Sequence, residues 1–368
     1  MHLMLKDKEV LYFNLDEFVI VIRNNDLLPY GLRGVFRSNT NIKSVLHNIE
    51  SLKTYLSSRV LSLSRDNAKQ LLTLFKIKQS NDIETRVGIC IKCRGVSVQD
   101  SYWIKYDTDK DLRWADINIR DKKLADIVDV ALYGVHPSIT VDIHSPELTT
   151  SGLFRKAWIR EKDGLYLLKS DRTNNFINTK MEVLASKVLG CFEFNCNLDY
   201  VRYTGRYRNT TVGRLYVDKC KNFINEKVSL VDADAVISAI GRSGRKFNGY
   251  TPEIASITVI DFILANTDRH MENWGFLMDN ETGKITGLAP LFDFNCALVS
   301  DYFNKDVSGT MSQMFNDGST IIGLMEKHLP YSRVKLDINK WNGLYKKEKQ
   351  WRYILDRVYK RVKYLGVV

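Results

Sequence analysis

Asn266-Thr-Asp268-Arg-His270-Met-Glu-Asn273 is the stretch on which the reading of this chain turns. An apolar helix leads into it. Thr251-Pro252-Glu253 supplies an N-cap, a proline for the first helical position and an acid for the helix dipole, and Ile254, Ile257, Ile260 and Leu264 then mark one face. Behind it, Trp274 to Met278 and Lys284 to Leu288 read as strands joined by the turn Asp279-Asn-Glu-Thr-Gly283, and Pro290-Leu-Phe-Asp293-Phe-Asn295 follows. The order is therefore apolar helix, Asp-x-x-x-x-Asn loop, hairpin, and an aspartate at a strand end between bulky apolar neighbours. Phosphoryl transfer from ATP needs such parts, because its catalysis is mostly positioning and neutralisation of charge. One carboxylate orients the attacking hydroxyl and accepts its proton; an amide and a second carboxylate hold Mg²⁺ against the phosphates. The step from Asp268 to Asn273 equals that of the protein-kinase catalytic loop.

Taken singly, each residue has a plainer role: Asp268 capping a loop, Asn273 serving a turn, His270 as a structural histidine. Asp293 is harder to dismiss, since an unpaired carboxylate among apolar side chains is costly to bury. An ATP site also needs a cation on the phosphates and a backbone loop to cradle them. Lys169 ends the strand-like Leu165-Tyr-Leu-Leu168 and could aim its ammonium into a cleft, with Glu182, early in the next helix, as its partner. Upstream, Thr149-Thr150-Ser151-Gly152-Leu-Phe-Arg-Lys156 offers hydroxyls, one glycine and a basic residue before a strand. The plainer alternatives are an edge-strand lysine and a surface helix glutamate.

Ser151-Gly-Leu-Phe-Arg-Lys156, Leu167-Leu-Lys169, Thr267-Asp-Arg-His-Met-Glu-Asn273 and Leu288-Ala-Pro-Leu-Phe-Asp293 together resemble the HipA-like serine/threonine kinases of bacteria, including the CtkA type, over about Pro146 to Val368. Gly95-Val-Ser-Val-Gln-Asp-Ser-Tyr-Trp-Ile104 resembles a segment of members with a long N-terminal region. The resemblance implies an α+β, two-lobed protein-kinase-like fold with an additional mixed α/β N-terminal region. The division would be 1–140 for that region, 141–221 for a sheet-rich lobe carrying the phosphate loop and ATP lysine, and 222–368 for a helical lobe with the catalytic and metal-binding loops. It implies ATP and Mg²⁺ as cofactors. Asp268 would be the catalytic base, with His270 on the family's Asp-x-His motif, and Asn273 and Asp293 would be the magnesium ligands. Lys169 would bind phosphate and Glu182 pair with it. Ser151, Gly152 and Lys156 would form the phosphate loop, and Lys221 and Phe223 a hinge against adenine. Autophosphorylation of Thr149, Thr150 or Ser151 would eject that loop and switch the enzyme off, a phosphate there adding charge where those of ATP should sit. The implied partners are a protein substrate and a helix-turn-helix antitoxin.

The rest of the chain bounds these expectations. In 368 residues, 44% hydrophobic and 26% charged, with six prolines, there is room for a large core and no sign of disorder or a long linker. The apolar run Phe18 to Ile22 is too short for a span or a signal peptide, so a cytoplasmic protein without membrane contact is expected. The net charge of +11 is concentrated at the end, where Lys335 to Val368 carries ten Lys/Arg against three Asp/Glu. Ile354, Leu355, Val358, Val362 and Leu365 in that stretch make an amphipathic helix whose basic face is solvated, which does not favour nucleic-acid binding. Alternation predicts strands over Leu3–Phe13, Phe18–Arg23 and Val87–Val98, the last placing Cys90 and Cys93 on opposite faces and against a zinc site. Helices are expected over Ile42–Tyr55, Asp66–Phe75 with Ser64 as N-cap, Thr179–Leu189, and from Ser229 onward. The competing functions are a catalytically silent kinase-shaped module on DNA or a partner, a metal-dependent phosphohydrolase, and a kinase acting on a small molecule or lipid.

Overall fold

The computed structural model describes residues 1–121, 127–134, 144–150, 152–171, 176–193, 199–204, 209–210, 213–214, 217–249 and 251–368. Early alternation becomes strands β1 (His2–Leu5), β2 (Lys8–Asn14) and β3 (Val19–Ile22), and with β4 (Tyr102–Lys105) they form an antiparallel sheet in the order β3-β2-β1-β4. Helix α1 (Ile42–Ser58) starts where Asn41 accepts the Ser44 N–H. Helix α2 (Ala68–Leu74) begins later than expected: Asn67, left-handed at φ 63°, precedes it, and Ser64 instead bonds Ser62.

The strand expected at Val87–Val98 does not form: its first half belongs to a helix, α3 (Ile83–Lys92), and the rest is turn and irregular chain. Asp82 caps the helix by accepting the Thr85 N–H, Glu84 and Lys92 match its dipole, and Val87 and Cys90, three apart, are buried together. The apparent alternation was too short to outweigh a well-capped helix. Cys90 thus lies within a helix and Cys93 caps its end; both are buried free thiols. The short helices α4 (Trp114–Ile117) and α5 (Val128–Tyr133) complete this region.

A second antiparallel sheet follows: β5 (Arg155–Glu161), β6 (Gly164–Ser170), β7 (Tyr200–Arg202) and, after the small pair β8 (Asn209–Thr210) and β9 (Gly213–Arg214), β10 (Val217–Lys221), in the order β5-β6-β10-β7. Helix α6 (Ile177–Leu189) packs beside it, ending at Gly190 in ordinary right-handed geometry. Where helix was expected from Ser229, a strand comes first. This β11 (Val228–Asp232) pairs with β12 (Gly275–Asp279), and β12 with β13 (Ile285–Leu288). Helix α7 (Ala233–Arg242) follows β11, and α8 (Pro252–Ile263), capped by Thr251, is buried from Ile254 through Ile263. The chain closes with α9 (Val299–Tyr302), α10 (Ile321–His328), α11 (Ile338–Lys347) and α12 (Arg352–Leu365), whose stripe of Ile354, Leu355, Val358, Val362 and Leu365 is buried.

The N-terminal region shares its core with the second sheet: Leu52, Leu56, Leu71 and Leu132 cluster with Ala157, Ile159 and Leu168. It also reaches the C-terminal half. Leu230 N–H donates to Gln99 O at 2.8 Å, Arg33 donates to Gly283 O at 2.7 Å, and Lys6 and Lys8 pair with Glu281. The boundary expected near residue 140 falls in 135–143, outside the described residues. No helix among the described residues is long and apolar enough to cross a membrane.

Candidate active site

Two lysines enter one cleft from the second sheet. Lys156 and Lys169 stand opposite each other across β5 and β6, and opposed residues of antiparallel strands project to the same side. The Lys169 ammonium donates to Glu182 Oε1 on α6 and to Asp293 Oδ1, each at 2.8 Å. Phe294 N–H donates to the same Glu182 oxygen at 2.9 Å, while Glu182 Oε2 is buried with no hydrogen-bond partner among the described residues. Burial opposes the charge of Asp293, but Lys169 and Lys156 outweigh it and hold the carboxyl at about 2. Asp293 is left-handed at φ 57°, uncommon for a residue with a side chain, and its N–H donates to the Tyr200 hydroxyl at 3.1 Å.

Lys156 is buried, and desolvation pulls its ammonium down to about 8. Gly152, at φ 92°, lies directly against it: a Cβ there would run into Lys156 Nζ. A side chain at 152 would strain the backbone and displace the Lys156 ammonium.

Across the cleft, the loop after α8 is tied at several points. Asn273 Nδ2 donates to Asp268 O at 2.8 Å, which fixes the orientation of its amide across the loop. Buried Arg269 pairs with Asp261 on α8 at 3.1 Å and donates to Asn273 O at 2.6 Å and Phe292 O at 2.7 Å. One guanidinium thus joins the Asp268 loop to the segment bearing Asp293. Burial, with help from Asp293, raises the Asp268 carboxyl above the usual carboxylate range against the pull of His270. The Cys296 thiol donates to Asp268 Oδ2 at 3.8 Å, and His270 Nδ1 accepts the Glu272 N–H at 3.3 Å.

A cleft of about 1120 Å³ brings together Lys156, Lys169, Asp268, Asn273 and Asp293, with Gly152, His270, Lys221 and Phe223 also on its walls. Phe223 stacks on Phe292 at 6.3 Å, whereas the Lys221 ammonium turns to Asp163 at 3.1 Å. Tyr30, Tyr55 and Arg59 of the N-terminal region close another wall. Thr149 and Thr150 line the cleft but are buried: Thr149 Oγ1 donates to Val96 O at 2.9 Å, and Thr150 Oγ1 donates to Pro146 O at 2.7 Å and accepts from Trp158 Nε1. Ser151 lies outside the described residues.

Arg269, Tyr200 and Cys296 were not read from the sequence as part of the site. Arg269 stood inside the motif and could have been suspected as an internal brace. Tyr200 and Cys296 carry no pattern, because Tyr200 reaches the site only when β7 meets the Asp293 segment and Cys296 only when that segment meets the Asp268 loop.

No family model matches the chain, and no curated protein matches it in sequence. Among solved structures, it resembles HipA of Shewanella oneidensis MR-1, from a toxin–antitoxin complex of HipA, HipB and operator DNA. The TM-score is 0.50 and the identity 10%, over 99% of this chain and 88% of that one. The Helicobacter pylori proinflammatory kinase CtkA aligns at a TM-score of 0.40 with 17% identity, over 58% of this chain and 92% of its own. The fold is thus a mixed one of helices and antiparallel sheets, similar to that of HipA.

Proposed function

We propose that this chain is an ATP- and Mg²⁺-dependent serine/threonine protein kinase of the HipA-like type. The observation that carries the reading is the Lys169 ammonium held between Glu182 and Asp293 at 2.8 Å each, from three separate parts of the chain. A lysine so placed presents fixed positive charge to phosphate oxygens without freedom to wander.

The donor set fits magnesium. Mg²⁺ prefers hard oxygen ligands and is usually held by one or two carboxylates, substrate phosphates and waters rather than by a full protein cage. Asp293 is an ionised carboxylate, and with the Asn273 Nδ2 bonded to Asp268 O the amide oxygen would be the atom that meets the ion. When bound, the ion would offset the charge of the β- and γ-phosphates. Asp268 would accept the proton of the acceptor hydroxyl as that oxygen bonds to the γ-phosphorus and the bond to the β-γ bridging oxygen breaks, leaving ADP. Lys169 and Lys156 would stabilise the phosphate oxygens, and Phe223 with Phe292 would flank the base. The same reading extends to autophosphorylation of the loop at Thr149, Thr150 or Ser151 and to a helix-turn-helix antitoxin partner, since HipA of like fold is found with HipB and operator DNA.

The test is incubation of the purified protein with ATP and Mg²⁺, with mass-spectrometric mapping of phosphate, beside Asp268→Ala and Asp293→Ala. Phosphate transferred to hydroxyls of the protein or an added protein acceptor in the parent alone supports the reading. Nucleotide binding with no transfer to either sinks it and leaves a silent binding module.

A further inference from the structure

The segment proposed above as the phosphate loop is held from outside as well as from within, where Thr150 bonds Pro146 and Trp158. Its described parts, 147–150 and 152–156, are pinned by residues that lie far upstream in the N-terminal region. Arg65, 2% exposed, makes four hydrogen bonds into the segment: to Glu147 O at 2.9 Å, Glu147 Oε2 at 2.9 Å, Thr150 O at 3.1 Å and Lys156 O at 2.7 Å. Glu147 completes the pair by accepting Trp158 N–H on β5 at 2.8 Å. On either side of Arg65 the backbones bond directly, Leu61 N–H to Leu148 O at 2.9 Å and Asp66 N–H to Leu153 O at 3.0 Å. Thr149 Oγ1 reaches Val96 O, and Arg155 stands 3.6 Å from Asp66.

We infer that Arg65 is a positioning residue for nucleotide binding, the N-terminal region thereby forming the outer half of the phosphate loop. This rests on the kinase reading above. A guanidinium offers a planar fork of donors, which is why one side chain can hold three carbonyls and a carboxylate at once; a lysine, with a single point charge, cannot. Two features the site needs depend on that grip. Gly152 stays against Lys156 Nζ only while the loop is folded down, and Lys156 stays buried beside Asp293 only while its own carbonyl is held.

The experiment compares the parent with Arg65→Lys and with the double variant Arg65→Met/Glu147→Met. The double variant removes both charges of the buried pair, so that neither is stranded, and such replacements commonly leave folding intact. Hydrogen exchange in the nucleotide-free protein, calorimetric titration with Mg²⁺·ATP, and the pH dependence of that titration are measured. The expected result is exchange faster by about tenfold or more confined to residues 148–158. Affinity for Mg²⁺·ATP should weaken by about tenfold or more, with the midpoint of its alkaline fall moving upward as Lys156 becomes solvated. A purely structural contact would lower the melting temperature without moving that midpoint. Unchanged exchange in the loop overturns the inference whether or not nucleotide binds. Unchanged affinity and midpoint in a folded variant overturn it as well. A parent protein that binds no nucleotide would instead sink the kinase reading, and the exchange result alone would then decide whether Arg65 orders the loop.

Discussion

Lys169 Nζ and Asp293 Oδ1 meet at 2.8 Å although 124 residues separate them, and the same ammonium is bonded to Glu182 at 2.8 Å. Strand β6 delivers the lysine, α6 the glutamate, and the turn after β13 the aspartate. With Lys169 3% exposed and Glu182 0%, removing the cation strands a carboxylate in a place water does not reach. Lys169→Met should therefore cost about 3–5 kcal/mol of stability. The double variant Lys169→Met/Glu182→Gln should recover most of that in chemical denaturation, yet bind Mg²⁺·ATP no better. Equal losses for the single and double variants would show that the pair is not a stabilising unit.

Asp268 should be needed for transfer and not for binding. Its carboxyl is raised by burial and by Asp293, which makes it a better proton acceptor than a solvated aspartate. Asp268→Asn is expected to lower kcat by about 10²–10⁴ while the affinity for Mg²⁺·ATP changes little. In the parent, kcat should rise with pH through a midpoint above the usual carboxylate range, then level off. Retained kcat in Asp268→Asn would remove this residue from the role of base.

How far the site was legible follows from where its parts lie along the chain. Asp268, Asn273 and Asp293 sit within one short stretch whose helix, loop and hairpin each carry their own local signal, and the Thr251 cap and the β12–β13 turn form as that stretch suggests. Lys169 was readable because it ends the apolar, strand-like run Leu165–Leu168. The bracing by Arg65 was not, because nothing in residues 61–66 differs from an ordinary loop until it is laid against residues 147–156. The helix at Ile83–Lys92 was missed for the opposite reason: the alternation over Val87–Val98 looked like a strand, while the deciding signal was the Asp82 cap ahead of it. Likewise β11 forms because β12 is there to pair with it, a tertiary cause that short-range pattern does not record.

Lys156 ties nucleotide affinity to pH. Burial brings the free protein's ammonium down to about 8, and the negative charge of a bound triphosphate should push it back up. The complex then holds a proton that the free protein has begun to lose. Binding should take up a proton from about pH 8 upward, and affinity should fall as pH rises through that value, with little change below pH 7 or so. Titration calorimetry in buffers of different ionisation enthalpy measures the uptake directly. Lys156→Met should abolish it. A flat affinity between pH 7 and 9.5 in the parent would place the lysine away from the phosphates.

Asp232 gives a separate test of the cleft's electrostatics, through stability instead of activity. It occupies the N-cap position of α7 without a side-chain capping bond, and burial, aided by Glu272, Asp100 and Asp234, raises its carboxyl from 3.8 to about 7. Between those values the folded protein keeps a proton that the unfolded chain has given up. This term makes stability decline as pH rises across that window, and the loss is complete above pH 7 or so. Asp232→Asn carries no such charge and suits the same cap position. Thermal unfolding should therefore show the variant melting above the parent at pH 8, with the gap closing near pH 4. A variant that melts lower at pH 8, or a gap that does not change with pH, would mean that these carboxylates do not strain one another across the cleft.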